Sequence, residues 1–298
     1  MKTQIILRKV HYAFSAFLCT ACLVSCNDWL KPEPLSFYSP ENTYVTKEGL
    51  EGALVSCRAM IRPEFIGNNS YACTELMTSD VAVAGNIVAQ TLKNFEIQLK
   101  PGAYGDSQIG TFWSKGYSAI QKANTIISRV QAADEITEND KNTILAEGYF
   151  HRSYWYYKLV NQFGDVPFID KEVTTPKLDF YSHTRSSILK RLREDMMFAT
   201  RYLPESAPHG AVSKAAGNHL LAKICLACCD FDGAVAATTA VIDHSQHKLM
   251  EKRFGVNISD AQYNIISDLF NRENINSSEN LEGIFLVEDK RLTEGGTS

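Results

Sequence analysis

The chain has 298 residues, 45% of them hydrophobic, with 30 basic and 34 acidic residues and a formal net charge of −4. That length fits one large domain or two small ones, and the apolar share supports a real core. A mildly acidic chain without a basic patch is a poor candidate for nucleic-acid binding, so no nucleic-acid partner is expected.

The first residues read as a targeting segment. Lys2, Arg8 and Lys9 form a basic start, Asp and Glu are absent before Asp28, and an apolar run extends from Tyr12 to Val24. That run has the length of a signal h-region and is too short for a stable membrane span. It ends in Leu23-Val24-Ser25-Cys26, the pattern of a lipobox: an apolar residue three before the cysteine and a small one just before it. A small side chain suits the peptidase, and the Cys26 thiol is the atom that accepts the lipid. The expected organisation is a leader at 1–25, a lipidated tether at 26–40 containing Lys31-Pro32-Glu33-Pro34, and a folded domain over 41–298. An ordinary cleaved signal with a coincidental Cys26, or a short membrane anchor, explains fewer of these features. No later segment approaches about 18 consecutive apolar residues. Without the three basic leader residues the charge is near −7, with 27 basic against 34 acidic residues.

Most periodic segments that follow are helical. From Thr46, a good N-cap, Leu50, Leu54, Cys57 and Ile61 recur at three- and four-residue spacing. From Phe112, the residues Trp113, Tyr117, Ile120, Asn124 and Ile127 fall on one helix face. A third helix runs from Ile144 through Leu145, Tyr149, Arg152, Tyr156, Leu159 and Val160. A fourth carries Ile188, Leu192, Asp195, Met196, Ala199 and Leu203, and Pro204 stops it. Ala215–Cys229 and Phe231–Ile242 form a helix pair rich in alanine, and small side chains let helices approach closely, as in tetratricopeptide hairpins. Residues 112–130 with 142–160, and 186–203 with 214–229, are candidates for similar hairpins, in a degenerate repeat without a strict period. The fold class expected is all-α, tetratricopeptide-like, with irregular loops and little strand; a generic helical bundle is the competing reading.

Two stretches break the helical pattern. Residues 63–110 carry Gly67-Asn68-Asn69, Gly85-Asn86, Pro101-Gly102 and Gly105-Asp106, and residues 161–185 open with Gln162-Phe163-Gly164-Asp165-Val166-Pro167-Phe168. Long irregular segments in a compact domain usually bind something. Leu281–Val287 reads as a short strand, and the chain then closes on Gly295-Gly296-Thr297-Ser298, which looks unfinished.

The eight cysteines do not make a disulfide framework. Cys19 and Cys22 leave with the leader and Cys26 is lipidated. Cys57, Cys73, Cys225, Cys228 and Cys229 remain, an odd and scattered set. Cys225, Cys228 and Cys229 fall on one helix face, and His244 or His247 could complete a metal site. The apolar residues around them favour buried free thiols instead, so no metal or cofactor is expected. The chain contains no HExxH, GxSxG, GxGxxG or P-loop motif, and no carboxylate pair in a recognisable catalytic setting. An enzyme is not expected.

The segment Glu147-Gly148-Tyr149-Phe150-His151-Arg152-Ser153-Tyr154-Trp155-Tyr156-Tyr157-Lys158-Leu159-Val160-Asn161-Gln162-Phe163-Gly164-Asp165-Val166-Pro167-Phe168 closely resembles the signature of SusD/RagB-type proteins. In that signature a helix with an Arg and several aromatics runs into a Gly-Asp-Val-Pro turn. Other similar pieces occur in the same order. They are the lipobox followed by Asp28-Trp29, Phe112-Trp113 leading to Asn124, Asp195 leading to Leu203-Pro204, Ser213-Lys214-Ala215-Ala216, and Glu282-Gly283-Ile284-Phe285. The likeness covers nearly the whole chain. Two departures stand out: Gly210-Ala211-Val212 replaces the Arg that often precedes the Ala-Ala helix, and the usual C-terminal half is expected to be missing.

The resemblance implies an outer-membrane lipoprotein on a tetratricopeptide-like scaffold. It would capture a glycan, or in some members a peptide, and pass it to a TonB-dependent SusC-like transporter. An interaction scaffold without a small ligand, or a truncated non-binding relative, is the alternative. Arg152 is expected to pair with a carboxylate such as Asp165 in the adjoining turn. Gly164 is expected to supply a backbone angle and Pro167 to stiffen the exit. Tyr149, Tyr154, Trp155, Tyr156 and Tyr157 are expected in the core or against the transporter. Sugar recognition needs a flat aromatic face beside polar groups, and the candidates are Asp80, Asn86, Gln90, Tyr104 and Asp106; turn-forming roles for Asn86 and Asp106 stand beside that reading.

Overall fold

Helices dominate the computed structural model, which describes residues 43–65, 108–208, 210–243 and 245–287. The leader, Cys26, the tether and Cys73 lie outside the described residues. In chain order the described elements are α1 (Lys47–Phe65), α2 (Gln108–Gln131), α3 (Glu138–Phe163), β1 (Val166–Pro167), β2 (Ser182–His183), α4 (Arg185–Tyr202), α5 (Lys214–Ala227), α6 (Phe231–Ile242) and the single turn α7 (Ile265–Leu269). β1 and β2 pair antiparallel, with Val166 opposite His183 and Pro167 opposite Ser182.

The starts of α1, α3, α4, α5 and α6 follow from their capping residues. Thr46 accepts the Gly49 N–H at 3.2 Å, Thr137 that of Asp140, Thr184 that of Ser187, Ser213 that of Ala216 and Asp230 that of Gly233. Each side chain satisfies one of the donors that a helix start leaves free. α3 begins six residues before the first apolar position, Ile144, because Thr137 caps a polar first turn with no apolar spacing to show it.

From α1 to α6 each helix packs on the next: α1 lies on α2 and α3, α2 on α3, α3 on α4, α4 on α5 and α5 on α6. That is the stacking order of tetratricopeptide-like repeats, and all three expected hairpins are present. The apolar periodicities are the buried faces: Leu50, Leu54, Cys57 and Ile61 from α1, Ile120 and Ile127 from α2, and Leu192, Met196 and Ala199 from α4. Close approach depends on small residues. A Cβ at Gly217 of α5 would sit 2.6 Å from a Leu203 methyl, and one at Gly148 of α3 would sit 3.0 Å from Ile127. Trp155 and Tyr156 are fully buried, while Tyr149, Tyr154 and Tyr157 are half-buried against the same core. The aromatic girdle of α3 is mainly packing.

Two expectations need correction. Leu281–Val287 is not a strand; it is irregular, and Ile284, Phe285 and Val287 pack half-buried against the core. Its neighbour, residues 247–250, meets it through one backbone bond, Lys248 N–H to Leu281 C=O at 3.1 Å, and the Glu282 carboxylate takes the Met250 N–H instead of continuing a ladder. The three clustered cysteines also do not share one helix face. α5 ends at Ala227, and Cys229 lies past it with φ +60. The N–H of Asp230 reaches Cys225 C=O at 2.9 Å and that of Cys229 reaches Leu226 C=O at 3.0 Å, the bonding of a Schellman cap.

Residues 250–280, unread in the sequence, are organised around Arg253. Its guanidinium donates to the Asp268 carboxylate and to the carbonyls of Asn257, Asp260 and Tyr263. Buried Asn274 accepts the Val256 N–H and donates to the Asp268 carbonyl.

Candidate functional site

The signature segment builds a polar knot at the centre of the stack. Arg152 projects from α3 into the space between α2 and α4 and is 1% exposed. Its Nη2 donates to Asp195 of α4 at 2.5 Å, and its Nη1 donates to Asn124 of α2 at 3.2 Å and to the Asp170 carbonyl at 2.9 Å. The Tyr149 ring covers it, with a centroid 4.9 Å from the guanidinium carbon. Burial raises the Asp195 carboxyl above its ordinary value, against the opposing pull of Arg152 and Arg191.

Around this knot, α2 and α3 hold residues 167–173 by their backbone. The Tyr117 hydroxyl donates to Pro167 C=O at 2.8 Å, the Gln121 amide to Val173 C=O at 3.2 Å and the Asn124 amide to Ile169 C=O at 2.7 Å. Ser128 accepts the Glu172 N–H at 3.2 Å, and Arg129 pairs with the Glu172 carboxylate at 2.7 Å. From α3, the Tyr156 hydroxyl accepts the Ile169 N–H at 2.6 Å. Positions 117, 121, 124 and 128 form one helical stripe. A polar stripe that reads main chain fixes the first part of a strap, residues 167–183, while leaving its side chains unspecified. The sequence reading placed Tyr117 and Asn124 on this face but not their task; an Asn at a core position was the available signal.

Gly164 has φ +75, a backbone angle that favours glycine, and its N–H closes onto Val160 C=O. A Cβ there would meet nothing within 4 Å, so the constraint is conformational. Pro167 sits in β1 with its carbonyl held by Tyr117. The pairing of Arg152 with Asp165 is corrected. Arg152 points inward and takes Asp195, while Asp165 is on the solvent side and accepts the Arg185 N–H at 2.8 Å. There it faces the positive end of α4. Asp80, Asn86, Gln90, Tyr104 and Asp106 lie outside the described residues.

A second buried carboxylate, Glu147 on α3, ties α1 to α3. Arg58 grips it through two bonds of 2.6 and 2.8 Å, and His151 lies 3.4 Å away. Burial alone would raise this carboxyl, yet His151 and Arg58 hold it below its ordinary value. These charged groups are engaged with one another, which suits positioning of chain segments. Burial pushes the Cys57 thiol up to about 12 and that of Cys225 up to about 11, so both stay protonated at neutral pH. Among the described residues, no group of three or more His, Cys, Asp or Glu is placed to hold a metal ion.

An open crevice of about 350 Å³ lies between the α4–α5 connection and residues 275–286. Ser206, Ser213, Gln246, His247, Asn276 and Asn280 line it. Such hydroxyls and amides can hydrogen-bond a neutral polyol.

The profile of a SusD-like family, described as starch-binding and associating with the outer membrane, matches residues 50–226. The chain belongs to this SusD-like family. The match takes in the signature helix, the Arg152–Asp195 knot and the strap. Two SusD-like proteins of Formosa agariphila are similar. One is 29% identical over 243 residues, covering 80% of this chain and 47% of the relative; the other is 24% identical over 274 residues, covering 89% and 50%. The chain therefore spans about half the length of the curated relatives it matches. Surface glycan-binding protein A of Bacteroides thetaiotaomicron, solved in complex with laminarihexaose, shares the fold with a TM-score of 0.64 at 18% identity, over 82% of this chain and 49% of that one. The all-α, tetratricopeptide-like class is thus the fold of the SusD-like proteins.

Proposed function

We propose that this SusD-like chain is a surface lipoprotein that captures a glycan non-covalently and delivers it to a TonB-dependent SusC-like transporter. The observation that carries this reading is the family match over residues 50–226, which includes the helical stack and the strap it holds. A solved relative of the same fold holds laminarihexaose. In this reading the protein binds and releases its ligand unchanged and catalyses no reaction. Asp80, Asn86, Tyr104 and Asp106 supply the ligand contacts, with the Tyr104 ring as the flat face and the carboxylates and amide as hydroxyl partners.

Residues 1–25 act as the leader, Cys26 carries the acyl chains, 26–40 form the tether and 41–298 the helical domain. No helix among the described residues is long and apolar enough to cross a membrane, which fits attachment through lipid. The test is purification of the tagged protein from detergent-solubilised outer membranes, with mass spectrometry of the lipidated peptide and of co-purifying proteins. An acylated Cys26 peptide together with a TonB-dependent barrel supports the reading. Recovery of the well-folded protein alone, with unmodified Cys26, overturns it.

A further inference from the structure

The strap has two anchored ends and a free middle. Val173 is its last residue held by a helix, through Gln121, and the chain is next held at Ser182 and His183 by β1. Between these anchors, residues 174–181 are exposed without interruption. Among the described residues, none of the eight makes a hydrogen bond through its side chain, and none does so through its backbone outside the β1–β2 ladder. Their internal contacts are weak: Lys177 lies 4.0 Å from Asp179 and 5.4 Å from the centre of the Phe180 ring. Leu178 is 100% exposed and Tyr181 76%.

An endopeptidase binds its substrate as an extended strand, so a helix or a packed turn must open before it can be cut. Opening costs more free energy the more hydrogen bonds and packing it has to break. For residues 174–181 that cost is close to nothing, whereas the helices on either side are capped and packed. The sequence also supplies cleavable residues: Lys177 for a basic-specific enzyme, and Leu178, Phe180 and Tyr181 for an apolar-specific one.

We propose that residues 174–181 are a site of limited proteolysis, taken up as an extended strand by a serine endopeptidase of trypsin-like or chymotrypsin-like specificity. Water adds across the Lys177–Leu178 peptide bond, or across the bond after Phe180 or Tyr181. A carboxylate forms on the N-terminal piece and an α-amine on the C-terminal piece. The nicked protein stays assembled, because the bonds that join α3 to α4 span the cut. They include Arg152 to Asp195 at 2.5 Å, Arg185 N–H to Asp165 at 2.8 Å and the Arg185 side chain to Asn161 at 2.8 Å. The fold therefore tolerates a break at this point and keeps the strap in place.

The test is brief digestion of the native full chain with trypsin, and separately with chymotrypsin, followed by mass spectrometry and gel filtration. Within residues 108–287, the first tryptic cut is expected after Lys177, with both pieces co-eluting at the volume of the intact protein. Lys177→Gln is expected to lose that cut while chymotrypsin still cleaves after Phe180 or Tyr181. The proposal is overturned if the first cuts in 108–287 fall elsewhere, if Lys177→Gln leaves the tryptic pattern unchanged, or if the two pieces separate under native conditions.

Discussion

Arg152 and Asp195 meet at 2.5 Å across 43 residues of chain, at 1% and 3% exposure, and their contact ties α3 to α4. Removing one member of a buried pair leaves the other charge desolvated without compensation. Arg152→Ala is expected to lower stability by about 3–5 kcal/mol, measured by urea unfolding. The paired replacement Arg152→Met with Asp195→Leu should recover most of that loss. A single replacement with no measurable effect would mean that the knot does not hold the stack.

Gly164 is expected to resist replacement for a conformational reason. At φ +75 and ψ −122, a Cβ finds space but an unfavourable backbone angle. Gly164→Ala should cost about 1–3 kcal/mol, seen as a lower thermal midpoint. The Asp165 contact to α4 should loosen with it, visible as faster amide exchange at Arg185.

Cys229 is a stabilisation target. It occupies the left-handed position of the α5 cap at φ +60, where glycine is the usual residue. Cys229→Gly removes the Cβ strain at a small entropic cost and should raise stability by about 1 kcal/mol. Its exposed thiol makes the same substitution useful against intermolecular disulfides.

Asp230 links α6 to pH. The Gly233 N–H, and after it Arg193, hold its carboxyl below the ordinary value of 3.8. A carboxyl whose folded pKa is depressed contributes stability that is present above the unfolded value and is lost as pH falls through the folded value. The contribution should therefore be complete at pH 5 and fade below about pH 4. Asp230→Asn keeps a capping side chain but cannot titrate. Wild type should be the more stable protein at pH 5, and the difference should shrink on acidification to pH 3, measured by paired denaturation curves.

The helices were legible because their buried faces repeat at helical spacing: Leu50, Leu54, Cys57 and Ile61 on α1, and Ile188, Leu192, Met196 and Ala199 on α4 are core in the structure. The same spacing held the clue that the Arg152 reading passed over, since Asp195 sits within the buried α4 series and a carboxylate there needs a buried partner. Asp165 was nearer in the chain but belongs to an exposed turn. The Arg253 knot was not legible, because a guanidinium that gathers the carbonyls of Asn257, Asp260 and Tyr263 leaves no periodic trace. The strand expected at 281–287 rested on the short apolar run Ile284–Val287, and among the described residues no neighbouring segment supplies a ladder for it. At the candidate site, the residues that position the strap could be read in part from Tyr117 and Asn124.

The central claim is glycan capture, and calorimetric titration of the purified full chain with starch- and laminarin-derived oligosaccharides tests it most directly. Weak binding is predicted for at least one of them, with Kd between about 1 μM and 1 mM. Replacing Asp80 and Tyr104 together by alanine should abolish that binding and leave the thermal midpoint unchanged. Absence of binding by wild type to either glucan series, or undiminished binding by the double variant, would contradict the account.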